Sequence, residues 1–191
     1  MKNLKIGCVV MAAGLSSRFG RNKLLAEWDG RSLINRALDA VPPDSLYRTV
    51  VVTRFPEAQA LAEARNFETV WNDNPEDGIS RSLQLGLGRL SDADAVMFMV
   101  CDQPLLTLTS VKRLVDFYRE HPVNIVRMAY GEERGNPCVF PSAFFPELDA
   151  LRGDTGGGAV IRRHEASVLH VEAADASELR DVDQLSDILG Q

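Results

Sequence analysis

Cysteine is scarce in this chain. Cys8, Cys101 and Cys138 are the only three among 191 residues, widely spaced and each set among apolar neighbours. That pattern excludes a disulfide framework and a zinc-ligand spacing, and it reads as buried thiols in a reducing compartment. Histidine is equally rare, and His121, His164 and His170 do not cluster with the cysteines, so they read as surface or interior residues without a catalytic role. There is no surplus of positive charge: 21 Lys and Arg against 27 Asp and Glu leave a net charge of −6, which excludes the basic footprint of a nucleic-acid binder. No apolar run is long enough to span a bilayer, and the run after Met1-Lys2-Asn3-Leu4-Lys5 is too short for a signal-peptide core with its cleavage site. A cytoplasmic protein without nucleic-acid or membrane partners is expected.

The chain is 45% hydrophobic and 25% charged, ordinary for a globular protein, and long enough for one well-buried domain spanning 1–191. Ile6 to Met11 reads as a buried strand. A helix follows from Ser32, its N-cap, and stops at Pro42-Pro43; Thr49 to Thr53 is a second strand. Pro56 opens a short helix to Arg65, and Phe67 to Trp71 is a third strand. Ile79, Leu83, Leu87 and Leu90 mark an amphipathic helix, Ala95 to Val100 a wholly apolar strand, and Ser110 to Glu120 another helix. This β-α-β-α-β-α-β-α order predicts an α/β, Rossmann-like fold with a mostly parallel sheet between helical layers. In the C-terminal half Asn124 to Tyr130 and Cys138 to Phe140 read as a meander. A Gly-rich segment then precedes a helix, Val168 to Val171 is the last strand, and Asp183 to Leu189 the closing helix.

The richest stretch is Cys8-Val9-Val10-Met11-Ala12-Ala13-Gly14-Leu15-Ser16-Ser17-Arg18-Phe19-Gly20, with Lys23 beyond. A buried strand there delivers a loop of small residues whose backbone N–H groups can approach an anion closely. Arg18, Arg21 and Lys23 make that loop basic within an acidic protein. Its spacing matches neither Gly-x-Gly-x-x-Gly nor the P-loop. The second feature is Cys101-Asp102-Gln103-Pro104, directly after an apolar strand. In an open parallel sheet both features fall on the rim at the carboxyl ends of the strands, where ligands bind. A carboxylate in that place suits Mg²⁺ shared with phosphate oxygens. Trp28 and Trp71 read as packing residues, Arg81 as part of a solvated helix face whose place near Gly78 allows a phosphate contact, and Glu132-Glu133-Arg134 as a solvated turn.

Ala12-Ala13-Gly14-Leu15-Ser16-Ser17-Arg18-Phe19-Gly20-(x)2-Lys23 resembles the opening of the MobA-like nucleotidyltransferase family, in the form most like its cytidylyltransferase branch. Later positions match in order: Asn74-Pro75, Gly78 and Ser82; Asp102; Gly135-Asn136-Pro137; Gly153-Asp154-x-Gly156; and Asp181-Val182-Asp183. The resemblance implies a GT-A type, three-layer fold with nucleotide binding in about the first 105 residues and acceptor binding in the rest. It implies that Ala12, Ala13, Gly14, Leu15, Ser16, Ser17, Asn74, Gly78 and Ser82 bind the nucleotide, with Arg18 and Lys23 catalytic. Asp102 and Asp183 would hold Mg²⁺, with Mn²⁺ as a substitute, and Gly135, Asn136, Pro137, Gly153 and Asp154 would face the acceptor. The activity implied is CMP transfer from CTP to the phosphate of molybdenum cofactor, with transient contact to a target molybdoenzyme or its chaperone. Guanylyl transfer, cytidylyl transfer to a sugar or polyol phosphate, and a non-catalytic cofactor carrier stay open. Two positions depart from the family pattern. The Gly-Asp loop continues Gly156-Gly157-Gly158 where Gly-Ala-Arg is expected, and Asp183 is followed by Gln184-Leu185 rather than Thr-Pro.

Overall fold

The computed structural model describes residues 4–14, 22–184 and 186–189. Strand β1 (Ile6–Ala12) is apolar along its whole length because it lies in the middle of the sheet, parallel to a neighbour on each side and covered on both faces. A small hairpin, β2 (Glu27–Trp28) and β3 (Arg31–Ser32), leads into α1 (Leu33–Asp39). Then come β4 (Arg48–Thr53), α2 (Pro56–Glu63), β5 (Glu68–Trp71), α3 (Ile79–Gly88), β6 (Ala95–Val100) and α4 (Leu108–Glu120). The C-terminal half adds β7 (Ile125–Tyr130), β8 (Glu133–Pro141), α5 (Phe145–Asp149), α6 (Gly158–Arg163), β9 (Val168–Glu172) and α7 (Ser186–Leu189).

Seven strands form one sheet in the order β5-β4-β1-β6-β8-β7-β9. Every pairing is parallel except those of β8, which runs antiparallel between β6 and β7. The expected α/β architecture is therefore present. Its antiparallel part is a β7–β8 hairpin whose second strand lies beside β6, so β9 returns parallel to β7.

Successive side chains of a strand face opposite sides, and the core divides accordingly into two layers. Ile6, Cys8 and Val10 of β1 join Val111, Leu114, Val115 and Tyr118 of α4 on one face. Val9 joins Leu83 and Leu87 of α3 and Val160 and Ile161 of α6 on the other. Burying the four α4 side chains is worth roughly 1.5–3 kcal/mol each before entropy is subtracted, which holds this helix more firmly than its intrinsic propensity does. The helix begins two residues earlier than the sequence suggests: Thr107 caps it, its Oγ1 accepting from Ser110 N at 3.2 Å. Ser32 does precede α1 but makes no side-chain cap bond; its Oγ instead accepts from Asn35 Nδ2 at 2.9 Å. The helix expected over 183–189 is shorter, running Ser186–Leu189, and no described helix is long and apolar enough to cross a membrane.

Candidate active site

A cavity of about 390 Å³ opens at the carboxyl ends of β1 and β6, against the start of α3. It brings together Ala13, Gly14, Lys23, Gly78, Ser82, Asp102 and Asp154, residues that lie up to 141 positions apart (154 − 13). Met11 and Val100 give it an apolar floor. Leu15, Ser16, Ser17 and Arg18 fall outside the described residues.

Lys23 stands on a short 3-10 turn, Lys23–Leu25, fixed by Asn22, whose Oδ1 accepts from Leu24 N at 3.1 Å. Its side chain is only 12% exposed, and its Nζ lies 3.2 Å from Asp102 Oδ2 and 3.8 Å from Asp183 Oδ1. Asp102 follows β6 directly, where the strand end holds it at the rim. Asp183 reaches it through the backbone, because Val182 N donates to Asp102 O at 2.8 Å. Asp181, between them in sequence, remains open to solvent, yet partial desolvation and the charges of Asp102 and Asp183 push its carboxyl up to about 6. Hydrogen bonding from Gln103 and the charge of Lys23 act in the opposite direction.

Two carboxylates thus face one ammonium. Asp102 and Asp183 converge on the single cation between them, and their hard oxygens fit a divalent metal in that position. Among the described residues no group of three or more His, Cys, Asp or Glu side chains is arranged to hold an ion. Phosphate oxygens of a substrate would complete the coordination, as Mg²⁺ prefers.

The C-terminal segment is anchored by Glu178, which the sequence reading passed over. Its carboxylate is 3% exposed and accepts from Thr107 Oγ1 at 2.5 Å, Ser110 Oγ at 2.7 Å and Ala174 N at 2.8 Å. A carboxylate at the amino end of α4 is also favoured by the helix dipole. Gln103 adds a bond from Nε2 to Leu179 O at 3.2 Å.

The far wall rests on Asn72, also missed. It is buried, donates Nδ2 to Ser82 Oγ at 3.1 Å, and accepts from Asn74 N at 3.1 Å. Asn74 itself is exposed and does not line the cavity. The signal was available, since an Asn ending a strand before an Asn-Pro turn is a candidate for organising that turn through its side chain. Gly78 takes φ +80° and ψ −172°, a conformation open to glycine, and Ser80 N donates to Gly153 O at 3.2 Å. The Gly153-Asp154 loop is thereby fixed against the start of α3.

Gly135, Asn136 and Pro137 lie within β8 rather than in a loop, near the same rim but outside the cavity lining. Gly157 packs against Phe140, and Arg162 Nη1 stands 3.7 Å from where a Gly158 side chain would begin. Two readings from the sequence need correction. Trp71, read as a packing residue, is 44% exposed because it ends the edge strand β5. Arg81, expected on a solvated face, is half-buried, with a buried Nε that has no partner among the described residues. Trp28 is buried, and all three cysteines are free and buried; burial alone pushes the Cys8 thiol far up and leads the shift of Cys138 to about 11, so neither is a ready nucleophile.

Ala13, Gly14, a lysine and paired carboxylates thus stand together on the rim of an open α/β sheet, the place where such sheets bind ligands. Residues 8–168 match the MobA-like NTP transferase domain, and the chain belongs to that family of nucleotidyltransferases. It is 28% identical to a protein named nicotine blue oxidoreductase from Paenarthrobacter nicotinovorans, over 92% of this chain and 90% of that one. It is 29% identical to a probable molybdenum cofactor guanylyltransferase of Bacillus licheniformis, over 90% and 75% of the two chains. Among solved structures it is similar to Rv0371c of Mycobacterium tuberculosis H37Rv, with TM-score 0.76 and 26% identity, covering 96% of this chain and 95% of that one.

Proposed function

We propose that the chain transfers CMP from CTP to the phosphate of molybdenum cofactor, giving molybdopterin cytosine dinucleotide and pyrophosphate. The observation that carries this reading is Lys23 held between Asp102 and Asp183 at the mouth of a cleft bounded by Gly14 and Gly78. The relative named as a molybdenum cofactor guanylyltransferase supports the acceptor. The Ala12-Ala13-Gly14-Leu15-Ser16-Ser17-Arg18 form supports cytidine over guanosine.

In this reading the backbone N–H groups of Ala13, Gly14, Leu15 and Ser16 hold the triphosphate, and Asn74, Gly78 and Ser82 flank the nucleoside. Asp102 and Asp183 would hold a divalent metal, which when bound would supply positive charge beside the phosphate oxygens. The acceptor phosphate attacks the α-phosphorus in line; the new P–O bond forms as the bond to pyrophosphate breaks. Lys23 and Arg18 neutralise charge spread over the oxygens at that moment, so catalysis rests on positioning and preorganised charge. A phosphate nucleophile is already ionised at neutral pH, and no general base is required of the protein.

Pyrophosphate release with Mg²⁺ and molybdenum cofactor, compared across CTP, GTP, ATP and UTP, tests this. Release with CTP alone is expected. Release with GTP moves the chain to guanylyl transfer, and silence with all four from folded protein overturns the reading.

A further inference from the structure

On the sheet face that carries α3, α5 and α6, the apolar cover ends along one row. Ile125 and Phe140 belong to the core beneath Val160 and Ile161. The next row toward the carboxyl rim of β6 runs Phe98, Cys138, Arg127 and His170 across β6, β8, β7 and β9. Arg127 and His170 follow Ile125 and Val168 by two residues and share their face. Exposure rises along the row, from buried Cys138 through half-buried Arg127 to exposed His170.

Arg127 has an unmet demand. Its Nε is buried without a hydrogen-bond partner among the described residues, and its other polar contact is a long one, Nη2 to Gly135 O at 3.4 Å. A half-buried guanidinium is ordinarily paired, and an unmade bond on a charged donor is costly until an acceptor arrives. The neighbourhood is cationic. Partial burial first, then the positive charges of Arg134 and Arg127, hold the His170 ring below its ordinary value, against a weaker pull from Glu172 and Glu165. Asn136 adds a carboxamide, with Oδ1 3.8 Å from Cys138 Sγ.

At about 4.8 Å between strands and about 3.3 Å per residue, Arg127 lies two strands from β6 and four residues short of Asp102, on the order of 15 Å away. It is too far to meet the reacting phosphate. We propose that Arg127, flanked by His170 and Asn136, determines acceptor specificity by binding a second anionic group at the end of the acceptor remote from the reacting phosphate. The inference rests on the nucleotidyl-transfer reading, and it restricts the acceptor to an extended molecule with anionic groups at both ends. A short sugar phosphate leaves Arg127 unsatisfied.

The test uses the full chain with Arg127→Gln and Arg127→Lys. The chain has three histidines, so the imidazole signals of His170 can be assigned by NMR and followed as tungstate, a simple dianion, is added. The His170 signals should move in the parent protein, stay still in Arg127→Gln, and move partly in Arg127→Lys. In the pyrophosphate assay, Arg127→Gln should raise KM for molybdenum cofactor about ten- to a hundredfold, the loss of a charge-assisted bond, while CTP affinity is retained. A still His170 in the parent, equal movement in Arg127→Gln, or an unchanged acceptor KM overturns the proposal. If the parent releases no pyrophosphate while the tungstate response depends on Arg127, the transfer reading falls and the anion site stands.

Discussion

Gly78 is the position where one added methyl group tests how the cleft is built. A Cβ there would lie 2.5 Å from Gly153 O and 2.6 Å from Asp154 N, both backbone atoms that no rotamer change can move aside. The nearest atom is the Gly153 carbonyl carbon at 2.3 Å, so restoring ordinary contact at 3.4 Å requires the Gly153-Asp154 loop to retreat by about 1.1 Å (3.4 − 2.3), which breaks the bond from Ser80 N to Gly153 O. The backbone conformation itself costs a residue with a side chain about 1–3 kcal/mol, and the lost hydrogen bond about 1 kcal/mol more. Gly78→Ala should therefore destabilise the fold by about 2–4 kcal/mol, a fall in Tm of roughly 5–15 °C for a chain of this length.

Gly153→Ala is the control. It has φ +64° but nothing within 4 Å of the added carbon, so only the left-handed penalty of about 1–2 kcal/mol applies. Thermal unfolding of both variants, together with the dissociation constant for CTP, separates the effects. Gly78→Ala should melt lower than Gly153→Ala and bind CTP more weakly, because the displaced loop carries Asp154 on the cleft wall. Melting within 2 °C of the parent, or equal behaviour of the two variants (each about 1 kcal/mol at most), would refute the claim that this close approach fixes the cleft.

Lys23→Ala should lower turnover by about two to three orders of magnitude in the pyrophosphate assay while unfolding remains cooperative, since the lysine acts through charge at the cleft mouth. Glu178→Ala leaves the donors of Thr107, Ser110 and Ala174 unmet; a loss of about 3–5 kcal/mol in urea unfolding is expected, with weaker metal-dependent activity because the segment carrying Asp183 loses its anchor. His170 should show a folded-state value below its ordinary 6.5 in an NMR pH titration. With the folded value depressed, the unfolded chain takes up the proton first, so this residue's effect is neutral above 6.5 and costs stability as pH falls toward the folded value. Arg127→Gln removes one of the charges responsible, and the His170 titration should move upward.

The four strands of the main sheet and the three helices in the first hundred residues were legible because each is an apolar or amphipathic run bounded by turn residues, and Ala95–Val100 was read to the residue; the two-residue strands β2 and β3 are too short to leave such a pattern. The C-terminal half was less so. The β7–β8 hairpin is readable as alternation, but its insertion beside β6 is decided by long-range pairing, with Ala95 opposite Pro141. Lys23 and Asp102 were legible as charged residues close behind β1 and β6. Glu178 was not, because a polar residue in a turn looks the same in sequence whether it is solvated or buried and bonded; Asn72 carried a turn signal, but its bond to Ser82 did not show in the sequence. Only the fold brings Thr107 and Ser110 to Glu178, about 70 positions away in sequence.

The two departures from the family pattern have different structural consequences. Gly157 cannot carry a side chain without displacing Phe140, since its Cβ would lie 2.8 Å from Phe140 Cζ, so the loop is tied to the aromatic core and not free to vary. At Gly158 the space is open, and the guanidinium of Arg162, one turn further along α6, already borders it. The positive charge missing from the loop is thus present nearby, borne by the helix that the loop begins. Asp183 differs again. Its position is held from both sides: Glu178 under α4 and Val182 on the backbone of Asp102 fix the preceding segment, and Asp187 Oδ2 accepts from the backbone N of Asp183 and of Gln184, each at 2.8 Å. A motif read residue by residue counts both positions as losses. In the fold, the charge at one is supplied from a neighbouring turn, and the placement at the other is held by contacts the motif does not contain.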